Sequence, residues 1–371
     1  MRTKKIVIFV ANRGFALTNS RERIIKEFIN MGWRVVVATS KDHHSTKLIE
    51  LGAEFEEVNF NRGGLSIGKD LKALFDLIKI YMKHKPSLIH HFHAKPILFG
   101  TIATFFHNKA KIVNTVTGLG HSFIKGGFLK RVSSLGYKLL LSKADRTIFQ
   151  NRDDYKMFLD KKWVFDNNSS LIISSGVDIE KYSPLAKNNS KINVIMVGRL
   201  LWQKGVKEYI EASKILKDTH PNVTFNLAGE FDDIHPDAVD KRYVYDAQEK
   251  SIINYLGFVD MEQVLKETDI LVLPSYREGV PRTILEASAC AIPVVTTNAP
   301  GCKEAVLNNE TGYLVPIKNS ELLAESILKL LNSSRLRQEF GNRGRQFIEK
   351  NFDISEITKQ HFHVYKKINA L

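Results

Sequence analysis

Leu271-Val-Leu-Pro-Ser-Tyr-Arg-Glu-Gly-Val-Pro-Arg-Thr-Ile-Leu-Glu-Ala287 is the stretch on which the fold turns. Its first residues are a short apolar run of the kind that forms a buried strand, and Pro274 ends it. Pro281 has the fixed φ and the missing N–H that suit the first turn of a helix. Glu278 therefore belongs to a loop and Glu286 to the helix after it. Strand, short polar loop and helix make half of a βαβ unit, which requires a parallel sheet.

The same unit repeats outward in both directions. Strands are expected at Lys5–Ala11, Arg34–Thr39, Glu54–Val58, Ser87–Phe92 and Lys111–Thr115, and helices at Ser20–Met31, Ser45–Leu51, Gly68–His84 and Pro96–Phe106. The rhythm resumes after a polar stretch at Lys187–Lys191. Strands then follow at Ile192–Val197, Thr224–Ala228, Ile253–Tyr255, Ile270–Pro274 and Pro293–Thr296, with helices Val206–Thr219, Arg282–Cys290 and Ser320–Leu331. A chain of 371 residues has room for two domains of ordinary size. The expected division is one Rossmann-like domain at 1–186, a second at 187–354, and a C-terminal helix at 355–371 that crosses back. The expected fold class is α/β, two Rossmann-like domains facing each other across a cleft, with ligands at the carboxyl ends of the strands.

Composition narrows the function classes. Fifty-four basic residues against forty acidic ones give a net charge of +14. Residues 1–185 hold thirty basic and sixteen acidic side chains and the rest of the chain twenty-four of each, so the whole excess sits in the first half. Cys290 and Cys302 have neither CxxC spacing nor neighbouring histidines, which excludes a disulfide scaffold or a structural zinc site. The apolar run Ile6–Ala11 is too short for an export signal, and Pro96–Phe106 falls far short of the roughly 20 residues that span a bilayer. The reading is a reduced, cytoplasmic protein whose membrane contact is peripheral.

Three loops invite a phosphate. Gly63–Lys69 has Walker A spacing, but Asp70 stands where magnesium needs a hydroxyl, which speaks against an ATPase. The loop after the first strand, Asn12–Thr18, lacks the GxGxxG of a dinucleotide site. In Val197–Gly205, Arg199 and Lys204 follow a strand end, and two such cations can clamp a diphosphate. The amides of Gly279, Val280 and Arg282 offer an anion site at a helix N-terminus. Glu278 beside it would oppose a bare diphosphate, but it suits the hydroxyls of a sugar next to one. Glu286 would suit a ribose.

Taken together, Gly198-Arg199, Lys204-Gly205, Gly257-Phe-Val259 and Glu278 with Glu286 resemble the family 4 retaining glycosyltransferases of the GT-B fold, over essentially the whole chain. The resemblance implies that Arg199 and Lys204 hold the donor diphosphate, Glu278 the sugar hydroxyls, Glu286 the ribose, the Phe258 and Val259 backbone the base, and that Gly14 lies close to the phosphates. Many members carry a histidine where this chain has Thr117. Either His121, four residues on, replaces it from a different angle as the catalytic candidate, or Thr117 leaves that work to the substrate sugar's own groups. Thr117 and Gly118, with His93 and Lys95 at the end of the strand that contains His91, are the candidates for the acceptor. No DxD occurs, so neither a metal nor another cofactor is expected, and Arg199, Lys204 and the helix N-terminus would carry the leaving-group charge. Retention is implied, by front-face attack through an oxocarbenium-like state.

The sixty-eight residues between Asp76 and Asp145 contain no carboxylate, while Lys79 to Lys143 holds eleven lysines and arginines. Within it Lys125, Phe128, Leu129, Lys130, Arg131, Val132, Leu135 and Lys138 read as a membrane-interface helix, an apolar stripe edged by cations. No nucleic-acid motif accompanies the charge, so a nucleic-acid partner is not expected. The motifs around Thr117–Phe123 and Pro274–Glu286 look similar to bacterial transferases that add N-acetylgalactosamine to undecaprenyl-diphosphate-diacetylbacillosamine in protein N-glycosylation. The expected substrates are a UDP-sugar and a polyprenyl-diphosphate-linked saccharide, and the expected location is the inner face of the plasma membrane, on an anionic surface. A capsule or O-antigen transferase would share these motifs with another acceptor. A UDP-sugar epimerase would share the phosphate loops without needing a lipid surface, and a basic binding protein would have no use for Glu278 and Glu286 astride a helix start.

Overall fold

The structure, a computed structural model, describes residues 4–61, 66–107, 109–119, 127–184 and 191–371, with side chains from 131 onward in the helix Gly127–Leu140. The chain divides into two compact units: the first is Met1–Ser175 with Ser355–Leu371, the second Gly176–Ile354. The boundary thus falls ahead of the polar Lys187–Lys191 stretch, of which residues 185–190 lie outside the described residues.

In the first unit the strands are β1 Ile6–Arg13, β2 Arg34–Ser40, β3 Glu54–Glu57, β4 Leu88–Phe92, β5 Lys111–Val116, β6 Arg146–Phe149 and β7 Ser169–Leu171. They form one parallel sheet in the order β3-β2-β1-β4-β5-β6-β7. Order reverses between β1 and β4. Their carboxyl ends, Arg13 and His93, flank the crevice where such sheets take ligands. All five residues of β4 are buried, as expected of a strand covered on both faces. One face of the sheet is closed by the C-terminal helix Ile354–Lys367, whose Ile357, Val364 and Tyr365 join Phe9, Phe28 and Phe92 in a single core. Each such side chain contributes about 1.5–3 kcal/mol of burial. The helix expected at Ser20–Met31 is Glu22–Asn30, and an additional short helix, Gly14–Ser20, precedes it; the two are separated at Arg21, whose φ of −133° and ψ of 1° are not helical.

The second unit repeats the plan with β8 Ile192–Val197, β9 Val223–Ala228, β10 Asn254–Gly257, β11 Ile270–Leu273, β12 Val294–Thr297 and β13 Gly312–Val315, in the order β10-β9-β8-β11-β12-β13. The reversal here lies between β8 and β11. Helix Arg282–Ala289 starts after Pro281, whose φ of −68° is the value a proline ring imposes. Helix Ser334–Phe352 closes this unit. Its Arg345 donates to the carbonyls of Ile179, Tyr182 and Ala289. Asn319 and Ser333 cap the helices that follow them by accepting from Leu322 N and Leu336 N.

Candidate active site

The second unit holds most of the residues the sequence assigns to the donor, on the loops and helix that follow its strands. Glycines let the backbones come close there. Gly205 has φ +81°, and a β-carbon on it would lie 2.3 Å from the Pro274 carbonyl oxygen. A β-carbon on Gly229, just past β9, would lie 1.7 Å from the Gly198 oxygen, so these strand ends touch backbone to backbone. The loop after β8 therefore sits directly against the loop after β11.

That contact brings Lys204 and Glu278, 74 residues apart, into an ion pair between Lys204 Nζ and Glu278 Oε1. Both side chains are largely buried, at 19% and 14% exposure. The Glu278 loop is held from below. Its amide donates to the Pro300 carbonyl at 2.9 Å, Gly301 with φ +85° packs on the Glu278 and Gly279 carbonyls, and Thr297 and Cys302 donate to Ser275 O. From the side, Tyr276 donates to buried Glu208 at 2.7 Å, and its amide bonds the Gln203 carbonyl at 2.9 Å. Tyr276 thus ties the two loops together a second time. Burial and the Glu208 carboxylate push its phenol well above the usual range.

Arg199 leaves β8 half-exposed and pairs with Asp232 at 3.2 Å. Glu286 is buried one turn into its helix, where Arg282 reaches it at 2.8 and 3.2 Å. Burial raises the Glu286 carboxyl above its ordinary value, while Arg282, Lys181 and a hydrogen bond from Tyr182 oppose that shift. Val280 is buried with it. Gly257 turns at φ +66° and presents Phe258 at 66% exposure beyond β10, with Val259 half-buried beside it. An exposed ring at a strand's carboxyl end is a ready platform for a flat base.

In the first unit, Gly14 opens the helix after β1, and its α-carbon is closely covered. A β-carbon there would lie 2.4 Å from Asp42 Oδ1, and Asp42 also accepts from the amides of Phe15 at 3.1 Å and His44 at 3.0 Å. Lys95 pairs with Asp70 at 2.6 Å. Asp70 accepts from Ser66 N as well, so the residue that spoils the Walker pattern helps start helix Ile67–His84. His91 is fully buried, bonded to Tyr81 and Asn114 at 2.9 and 2.7 Å, and burial pulls its imidazole down to about 4. His93 is half-buried at the end of β4 with φ +72°, a conformation rare for any residue but glycine. Thr117 and Gly118 follow β5, Gly118 at φ +109°. His121 and Lys125 lie outside the described residues, as do the side chains of Phe128, Leu129 and Lys130. In helix Gly127–Leu140, Tyr137 is buried against Phe158 and Gly136 against Leu98, which leaves Arg131, Val132, Leu135 and Lys138 outward.

Asp232, Glu208, Tyr182 and Lys181 were not singled out in the sequence. Each acts through a partner far away in the chain, and no local spacing marks such residues. Gly229 had a weak signal, a glycine directly after an apolar strand.

Two domain families account for most of the chain: the glycosyl transferase 4-like model matches residues 6–151 and the glycosyl transferases group 1 model residues 178–347. The chain belongs to the group 1 and 4-like glycosyltransferases. It is 29% identical to the N,N'-diacetylbacillosaminyl-diphospho-undecaprenol alpha-1,3-N-acetylgalactosaminyltransferase of Campylobacter jejuni, over 97% of this chain and 98% of that one. It is 27% identical to the UDP-Gal:alpha-D-GlcNAc-diphosphoundecaprenol alpha-1,3-galactosyltransferase of Escherichia coli, over 73% of each. Among solved structures, Anabaena HepE in complex with UDP-glucose matches with a TM-score of 0.80 at 19% identity, covering 99% of this glycosyltransferase and all of that chain. The fold is GT-B, as the sequence suggested.

Proposed function

We propose that this glycosyltransferase moves a sugar, N-acetylgalactosamine in the first instance, from a UDP donor to an undecaprenyl-diphosphate-linked saccharide, with retention of anomeric configuration. The observation that carries the reading is the Lys204–Glu278 pair at the reversal point of the second sheet. A cation for a diphosphate and a carboxylate for sugar hydroxyls stand there in contact, as a nucleotide-sugar requires at the junction of its phosphate and its sugar. The two relatives named above, both acting on undecaprenyl-diphosphate sugars by name, support the acceptor class.

In the proposed mechanism Arg199 and Lys204 take up the charge that develops on the departing diphosphate, helped by the helix N-terminus at Gly279, Val280 and Arg282. Glu278 orients the donor sugar, Glu286 the ribose, and Phe258 with Val259 the base. Thr117, Gly118, His93 and Lys95 serve the acceptor, Gly14 the phosphates, and His121 the catalytic centre in place of the family histidine. No metal takes part. Among the described residues no helix is long and apolar enough to cross a membrane. We place the enzyme peripherally on the cytoplasmic face of the plasma membrane, held on anionic lipid by Arg131, Val132, Leu135 and Lys138, which stand outward on their helix.

The test is UDP release from a panel of UDP-sugars, with and without undecaprenyl-diphosphate saccharides. Acceptor-dependent release from UDP-N-acetylgalactosamine is the expected result, with the α-anomer in the product. Conversion of one UDP-sugar into its epimer without net UDP release would refute the reading in favour of an epimerase. Release with an unrelated capsular or O-antigen acceptor alone would refute the assigned acceptor.

A further inference from the structure

Helix Ile67–His84 carries an outward face that the donor site does not use. Its inner side, Ala73, Leu77, Ile80 and Tyr81, is packed into the core of the first unit. A surface helix ordinarily presents polar residues on the other side. Here Ile67 is 81% exposed, Leu71 49%, Phe75 58% and Met82 57%. Spaced by four, four and seven residues, they lie along one line of the helix. Lys72, Lys79 and Lys83, spaced by seven and four, form a second line about a quarter-turn away, with Lys69 further round. Lys69, Lys72 and Lys79 form no ion pair among the described residues, while Lys83 reaches Glu56 at 2.6 Å. The helix has two carboxylates, Asp70, buried against Lys95, and half-buried Asp76.

A neighbouring turn adds further exposed apolar side chains. This turn, Thr104–Phe106, packs against the helix and exposes Phe105 at 56% and Phe106 at 63%. Six large exposed apolar side chains on two packed elements exceed the scatter normal for a soluble surface. A polyanionic duplex would use the lysines but not the apolar line, and an apolar protein groove would use the line but not the lysines. A lipid interface uses both: the apolar line enters the acyl boundary while lysine stems lie along it and their ammonium groups reach the headgroups.

We infer that helix Ile67–His84, with Phe105 and Phe106, is a docking face for an anionic bilayer, separate from the helix Gly127–Leu140. The inference deepens the membrane part of the proposed function and rests on it. The experiment is flotation of the full-length protein with phosphatidylcholine vesicles, plain or containing phosphatidylglycerol, for wild type, L71S/F75S and K72E/K79E. All four positions are exposed, so the fold is expected to hold, with UDP affinity and thermal unfolding as its check. Wild type floats with the phosphatidylglycerol vesicles and salt weakens it, whereas each variant partitions at least about tenfold less. Variants that float as wild type does would overturn the proposal. So would equal flotation of wild type with plain phosphatidylcholine, or a wild-type dimer that L71S/F75S turns into a monomer, which would make the face a contact between copies. Normal flotation of a protein that releases no UDP with any lipid-linked acceptor would instead sink the proposed function and leave the docking face standing.

Discussion

Removing Lys204 tests the donor site and its architecture at once. In Lys204→Ala the Glu278 carboxylate, 14% exposed, loses its cation, and losing a charged partner at a largely buried site costs about 1–3 kcal/mol. Each kcal/mol lowers the melting temperature of a domain this size by about 2–4 °C, so a fall of several degrees is expected. Glu278→Gln strands the ammonium in the same way and costs a similar amount. The double variant leaves neither charge behind, and its loss should be smaller than the sum of the two by about 0.5–3 kcal/mol. Function should separate the two residues. Lys204→Ala lowers turnover by about 100-fold, because its charge is needed most as the diphosphate leaves. Glu278→Gln lowers turnover too, yet keeps or raises the affinity for UDP alone, since the carboxylate no longer competes for Lys204. Differential scanning calorimetry, isothermal titration with UDP and a UDP-release assay cover the cycle. Wild-type turnover in Lys204→Ala, or stability losses that simply add, would show that the pair is a surface coincidence.

Glu286→Gln should weaken UDP binding by titration calorimetry more than Glu278→Gln does, because Glu286 lies deeper and beside Arg282; equal losses would reduce both glutamates to structural roles. Activity should survive EDTA unchanged, and rescue by magnesium or manganese after chelation would refute the metal-free assignment. Stability should fall on the acid side. His91 is held neutral by burial, with its folded value near 4 against about 6.5 when unfolded. Its contribution is therefore complete above pH 6.5 and is lost as pH drops toward 4, about 3 kcal/mol in all. Buried His90 and His361 are lowered for the same reason and add to the loss. A melting temperature flat between pH 7 and 4.5 would contradict this.

Much of this was legible in the chain because parallel α/β sheets write themselves plainly. Buried strands read as apolar runs, Ile270–Leu273 without interruption and Ile192–Val197 with only Asn193 between apolar residues, and Pro281 marks a helix start without any tertiary information. The three-residue strand Ser169–Leu171 and the polar-looking helix Arg152–Asp160 were missed, since their burial is decided by neighbours rather than by period. The domain boundary was read from polarity at Lys187, but the second unit already begins at Gly176, where Val177 bonds the Phe352 carbonyl and Ile354 returns to Val177. Long-range pairing of that kind leaves no local trace. The same limit applied at the site. Arg199, Lys204, Glu278 and Glu286 could be named from spacing, but which carboxylate each cation holds could not.

Those partners bear on how the donor would be recognised. On the proposed assignment both phosphate-binding cations rest on carboxylates, Lys204 on Glu278 and Arg199 on Asp232. A ligand must displace at least one of these pairs, and the Lys204 pair is largely buried, so a weakly charged ligand gains too little to do it. A diphosphate brings enough negative charge to take both cations. The carboxylate it releases at Glu278 has then lost its cation, and hydroxyl donors that arrive with the phosphate offset that loss. UDP alone brings that carboxylate no hydroxyl donors in exchange for its cation, whereas a UDP-sugar does. The exchange thus discriminates for the intact donor over the spent nucleotide, which favours product release after transfer.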